Sequence, residues 1–331
     1  MAIPDLFEIR MGTESTDAWG TAVAQSVKLM GITDITLTPV VESVQIKDKR
    51  GSMRPGHVSV PQMIYGTGSL SGIALYDDLP YWLDSIFGAA SPVTSTDVYQ
   101  YDYVGAHATE PVISHYTLAY GDGTYIESLL GSTVQSLNIS GASGEPLTFS
   151  ANLIGKIIDS DTFDSAAEAD RTVYPIMGDH VALWIDPSSD AVGTTSVTVP
   201  FQFSLDINTN RTLKTHLGNL NPTKYREARH EGALKLTLEL DSDTVGTLDA
   251  ILNTASSVTV ERVVRIKASA TVGALPNYLQ VDFNGVTLEA PQLYTDVDGI
   301  TTYEMTLMGQ YNGTLDDWIV IQVQNGVSAL A

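Results

Sequence analysis

The sequence has no cysteine among its 331 residues. That excludes disulfides, a thiolate nucleophile and cysteine-ligated zinc, and it leaves the redox compartment open. Basic residues are also scarce: 17 Lys and Arg stand against 39 Asp and Glu, for a formal net charge of -22. Affinity for nucleic acid comes mainly from cations that neutralise phosphates, so a chain this acidic is not built to grip DNA or RNA. Charged residues of both signs make up 17%, below the usual quarter. Either much of the outside is hidden against other subunits, or Ser and Thr replace charge on exposed strand faces. No apolar run reaches the roughly 18 residues of a membrane-crossing helix. The start, "MAIPDLFEIRMGTEST", has Asp5 and Glu8 where a leader needs a basic region and an apolar core. A soluble protein made in the cytoplasm is expected, with no membrane partner.

What is present is mostly strand. In "TLTPVVESVQIKD" and "TVQSLNISG", apolar residues alternate with Ser, Thr, Gln and Asn, the period that sends one face inward and the other outward. Turn residues punctuate the runs. "GDGTY" (121–125) joins "HYTLAY" to "YIESLL", and "ASGEP" (142–146) joins "VQSLNIS" to "LTFSANLIG". The chain reads as mainly antiparallel β.

Two stretches break the alternation. "DDLPYWLDSIFG" places Leu79, Trp82, Leu83 and Ile86 at helical spacing, with Asp77 or Asp78 as cap, Pro80 in the first turn and Gly88 as terminator. "DSDTVGTLDAILN" repeats the design, with Asp243 as cap and Val245, Leu248, Ile251 and Leu252 as the apolar stripe.

These helices expose an internal repeat. "GSLSGIALYDDLPYWLDSIFG" from Gly68 lies over "GALKLTLELDSDTVGTLDAILN" from Gly232, matching Leu70 with Leu234 and Asp77 with Asp241. Further on, "EPLTFSANLIGK" lies over "GITTYEMTLMGQ", matching Leu153 with Leu307 and Gly155 with Gly309. The expected layout is an arm over 1–30, a first repeat over 31–158, an acidic linker over 159–177, a second repeat over 178–326 and a tail over 327–331.

The scarce cations are concentrated in two matching places. "KDKRGSMRPGHVS" carries Lys47, Lys49, Arg50 and Arg54, and "GSMRP" (51–55) lies over "GNLNP" (218–222) of the second half. The second loop carries Arg211, Lys214, Lys224, Arg226 and Arg229, so the two together hold nine of the 17 basic residues. A solvated hairpin would explain either one alone. Two equivalent basic protrusions on an acidic body are placed to meet acidic surface on an identical copy, and a head-to-tail contact of that kind extends into a filament.

No catalytic constellation is legible. His57, His107, His115, His180, His216 and His230 lack metal-ligand spacing, and HExxH is absent. "GTGSLSG" (66–72) has no following Lys-Ser/Thr and reads as a strand edge where Gly permits a bulge or close backbone approach. "DVDG" (296–299) has too few oxygen ligands for calcium and reads as a hairpin turn. "DSDTFDSAAEAD" reads as a flexible acidic linker rather than a cation site. Neither a cofactor nor a metal is expected, and the chain does not read as an enzyme.

"GTESTDAWGTAV", "YDDLPYWLDSIFGAA" and "FQFSLDINTNRTLKTHLGNLNPTKYREARHEGALKLTLEL" together resemble the tail tube proteins of long non-contractile-tailed bacteriophages (siphophages), in the branch where one chain carries two copies of the tube fold. The similarity spans about residues 12 to 325. The resemblance implies two tandem β-sandwich or barrel-like repeats, each with a short flanking α-helix. It implies sheets that join between neighbours into a channel, a trimeric ring with pseudo-hexameric symmetry, and rings stacked into a tube for genome ejection. The long loops, with the nine cations named above, would reach the adjacent ring, and Trp19 would anchor the N-terminal arm. Partners would be the chain itself and the tape measure, tail terminator and distal tail proteins, with viral DNA only in transit. The place would be the virion tail, assembled in the host cytoplasm. The rival reading is a β-sandwich carbohydrate-binding module of a virion or cell surface, with "YQYDYVGAH" (99–107) stacking on sugars.

Overall fold

The computed structural model describes residues 7–15, 17–46, 58–95, 98–105, 109–122, 124–163, 170–187, 192–199, 201–241, 244–246, 261–272, 275–287, 292–297, 299–313, 315–328 and 330. It is mainly β. In chain order the first half contains β1 (Glu8–Glu14), β2 (Val27–Lys28), β3 (Ile32–Ile46), β4 (Val58–Ile73), helix α1 (Leu79–Phe87), β5 (Val93–Ser95), β6 (Val98–Val104), β7 (His115–Gly121), β8 (Ile126–Ala142), β9 (Thr148–Gly155) and β10 (Ile157–Asp161). The second contains β11 (Val181–Pro187), β12 (Ser196–Val197), β13 (Phe201–Asn208), β14 (Thr212–Lys214), β15 (Lys224–Arg226), β16 (Glu231–Glu239), β17 (Glu261–Val272), β18 (Leu275–Thr287), β19 (Gln292–Val297), β20 (Ile300–Gly309) and β21 (Ile319–Asn325).

Alternation is what makes these strands. In β13, Phe203, Leu205 and Ile207 are buried; in β16, Leu234, Leu236 and Leu238; in β20, Tyr303, Met305 and Leu307. Each such side chain contributes roughly 1.5–3 kcal/mol by leaving water. They belong to one apolar cluster that also takes in Leu137, Ile139, Phe149 and Leu153 from the first half.

Every pairing between named strands is antiparallel, and the two halves share one strand order. The first runs β3–β4–β9–β8–β7–β1–β2, with β10 also on β8. The second runs β13–β16–β20–β18–β17–β11–β12, with β21 also on β18. The registers differ slightly: Gly68 faces Leu153 in the first half, whereas Leu234 faces Leu307 in the second. Among the described residues, strands of the two halves pair with each other at two places. β8 pairs β13 from Ala142↔Gln202 to Ser136↔Asn208, and β21 pairs β6.

Helix α1 forms where its spacing predicts, but all nine residues are buried, so it has no solvent face. Asp78 precedes it without a side-chain capping bond. Its carboxylate accepts the Met30 amide (3.0 Å) and pairs with Arg171 instead. The second helix is described only at 244–246. There Asp241 is the cap: its carboxylate accepts the Thr244 amide (3.1 Å), and the Thr244 hydroxyl accepts the Asp241 amide (3.1 Å). Asp243, Leu248, Ile251 and Leu252 lie outside the described residues.

Other expectations are adjusted by the pairing. "GTGSLSG" lies inside β4, which is covered on both sides by β3 and β9 rather than forming an edge. The close approach is real, since a Cβ on Gly72 would stand 2.2 Å from the Gly31 carbonyl oxygen. Of the 1–30 arm, residues 8–14 pair along β7 as a sheet strand. At the described ends of the 159–177 segment, Asp159–Asp161 completes β10 and Ile176 is fully buried, with its amide bonded to Ala74. In the aromatic strand β6, Tyr101 and Tyr103 face the core, and Tyr103 donates to Asp84 at 2.7 Å. Those rings are therefore not a platform for sugar.

Candidate interaction surfaces

Residues 209–230 leave β13, cross onto the first half and return to β16. Thr209 starts the crossing, with its amide bonded to the Gln135 carbonyl at 2.9 Å. Arg211 comes next and corrects an expectation: placed by sequence among exposed contact residues, it is buried. Its guanidinium donates to the carbonyls of Ser85, Ile86 and Val134 and pairs with Glu227 at 2.6 Å. Ser85 and Ile86 end α1, where helix carbonyls lack intrahelical donors and a cation is favoured, which is the physical reason the arginine turns inward. Burial lowers the pKa of Arg211, opposed by Glu227. Burial would raise Glu227, but the bonds from His230 and Arg211 outweigh it and hold the carboxyl below its ordinary range.

Aromatic contacts fix the return leg. The Tyr225 ring meets Trp19 edge-on at 6.1 Å and His115 at 5.2 Å, while His230 meets Phe87 at 6.0 Å. Burial, with Arg211 nearby, pushes the His115 imidazole down to about 4. Trp19 also donates its indole N–H to the Gly131 carbonyl at 2.9 Å, so it ties the 17–20 turn to β8. Beside it, buried Glu14 accepts the amides of Gly20 (2.6 Å) and Gly131 (2.7 Å) and the Thr117 hydroxyl (2.9 Å). Further along, the Leu220 carbonyl accepts the Ile64 amide at 2.9 Å, and Asn221 donates to the Ile64 carbonyl at 3.3 Å. The place next to β4 that β9 vacates beyond Gly155 is thus taken by residues 220–221.

The rest of this excursion faces outward. β14 and β15 form a two-stranded ribbon, and Lys214, Lys224, Arg226 and Arg229 are exposed, as are Leu217 and Leu220. Lys47, Lys49, Arg50 and Arg54 of the matching loop lie outside the described residues.

A second kind of surface is the bare strand edge. Among the described residues, β3 pairs only with β4, and β19 only with β20. Val41, Val44 and Ile46 on β3 and Tyr294 on β19 are exposed apolar side chains. Long unpaired edges bearing apolar residues are templates for another chain unless covered. Their place in the strand order is informative. β18 and β19 together occupy the position of β8, whose C-terminal half carries β13 on its outer side; among the described residues no strand pairs with the outer side of β19.

No group of His, Cys, Asp and Glu suited to a metal occurs among the described residues. No helix described is long and apolar enough to cross a membrane. Neither the Arg211 clamp nor the β8–β13 junction was visible in the sequence; the only available signal was a basic residue directly after a strand, with Glu227 sixteen positions on.

Compared with known proteins, residues 8–309 match a family model described as phage tail tube protein. No curated protein gives a match.

Proposed function

From a chain that belongs to the phage tail tube protein family, and so is a structural component of the virion tail, we propose a self-assembling ring subunit with two tube-like units in tandem. Three copies close a ring of six similar units, and rings stack into the tube of a long non-contractile tail, the conduit for genome ejection. The observation that carries this reading is the β8–β13 junction. Within one chain, β13, at the edge of the second half's strand order, extends the sheet of the first half. The counterpart of β13 is β3, and the counterpart of the β8 segment beneath it is β19; among the described residues each has an edge with no paired strand. A head-to-tail contact that sets β3 of one copy on β19 of the next repeats the internal junction, and a rotation that closes gives a ring.

Stacking is assigned to the basic loops: Lys214, Lys224, Arg226 and Arg229, with Lys47, Lys49, Arg50 and Arg54 as their counterparts. The net charge of -22 suits a conduit through which DNA slides without being held. The tape measure, tail terminator and distal tail proteins are the partners at the tube's inside and ends, and assembly takes place in the host cytoplasm. The role is structural, not catalytic.

Negative-stain electron microscopy of the purified protein over a concentration series tests the reading, with native mass spectrometry for stoichiometry. Three-chain rings and hollow stacks are expected. Stable monomers in the presence of the other tail components would reject it.

A further inference from the structure

Resting on that reading, we propose that a cavity of about 780 Å³ lined by both halves is the seat of residues 47–57 from a neighbouring copy in the same ring. The cavity lies between the 109–111 segment and the start of β16, and Trp318 lies at its wall. Its position follows from the shared strand order. In the first half, β9 ends at Gly155 and residues 220–221 take the next place along β4, bonding both backbone groups of Ile64. In the second half, pairing of β16 with β20 stops at Ala233↔Met308. The sequence match of Gly68 with Gly232 makes Ala228 the counterpart of Ile64, the pairing register makes it His230, and both line this cavity.

The occupant follows from the same correspondence. Residues 220–221 belong to the loop between β13 and β16, and their counterparts in the loop between β3 and β4 are Met53 and Arg54. If β3 of a neighbouring copy lies on β19 as β13 lies on β8, its 47–57 loop leaves from the place that brings the 209–230 loop to Ile64. Eleven residues are enough for the crossing, since Ile46 and Val58 face each other at the loop's root. Charge agrees. The segment has four cations and one acid, Asp48. The cavity presents Glu110 and Glu231, with Glu227 already committed to Arg211 and Arg229 as its cation. The basic loop therefore has a lateral seat in its own ring before its remaining cations meet another ring.

The absence of native cysteine makes the test clean. Met53→Cys and Ala228→Cys chains are made separately, mixed, assembled, and linked by mild oxidation or a short bis-thiol reagent. A covalent dimer is expected in isolated rings as well as in tubes. Glu231→Arg should lower its yield several-fold, and pairing Glu231→Arg chains carrying Ala228→Cys with Arg54→Glu chains carrying Met53→Cys should restore it. Normal rings without the dimer would overturn the seat while leaving the tube reading intact, and a dimer confined to stacked tubes would overturn the same-ring placement. A link formed within single copies of a Met53→Cys/Ala228→Cys chain would overturn it as well. Failure of the unaltered protein to form rings would instead reject the tube reading from which the seat descends.

Discussion

Arg211 and Glu227 form a 2.6 Å ion pair whose guanidinium side chain has no exposure to water and whose carboxylate side chain is 11% exposed. The pair closes the base of the 209–230 excursion and fastens it to the end of α1. Removing one partner of such a pair leaves the other buried without compensation. Arg211→Met is expected to destabilise the unassembled protein by about 3–5 kcal/mol, read by chemical denaturation. A loss below about 1 kcal/mol would mean the clamp does not hold the loop.

Trp318 gives a steric prediction. A Cβ on Gly232 would lie 2.3 Å from the Trp318 ring, whereas one on Gly144 would meet nothing within 4 Å. Gly232→Ala should therefore cost about 1–3 kcal/mol through overpacking and shift the Trp fluorescence. Gly144→Ala, whose only difficulty is a φ of 80°, should cost about 1–2 kcal/mol and leave the fluorescence unchanged.

Asp84 makes stability depend on pH. Its burial pushes the carboxyl from an ordinary 3.8 up to about 6, opposed by bonds from Tyr103, Ala90 and Ser114. Because the folded value lies above the unfolded one, this group's contribution is complete below about 4 and is lost as pH rises toward 6 and beyond. Asp84→Asn keeps the acceptor oxygen and cannot ionise. The melting temperature of the variant relative to the parent should therefore rise between pH 4 and pH 7; a flat difference over that interval would show that Asp84 titrates normally.

Exposed cations on the β14–β15 ribbon bear on stacking. Replacing Lys214, Lys224 and Arg226 by Glu should leave folding and rings intact and shorten or abolish tubes, and added salt should weaken the parent's stacking in the same direction. Tubes of normal length from the triple variant would remove these residues from the contact.

Nucleic acid is expected to pass without being bound. Assembled protein should show no sub-micromolar binding of double-stranded DNA at physiological salt, measured by fluorescence anisotropy. Tight, salt-sensitive binding would reassign the basic loops to the genome.

Some of this was decided by the sequence alone. Alternation set the strands, because burying one face of a pleated sheet needs period two, and the spacing of Leu79, Trp82, Leu83 and Ile86 set α1 by the same logic at period 3.6. Gly68 and Gly232, matched in sequence, lie in β4 and β16, and Gly155 and Gly309 in β9 and β20, strands with the same places in the two orders. Tertiary structure decided what lies next to what. Arg211 and Arg226 are alike as residues in one basic loop, yet one is clamped beneath it and the other faces solvent, because only the first passes over the open carbonyls at the end of α1. The tyrosines of β6 looked available to a ligand until pairing with β21 turned them to the core. The β8–β13 junction, from which both the ring and the seat for residues 47–57 are argued, joins strands about seventy residues apart, and hydrogen bonding between such edges is set by register and packing that no local pattern carries.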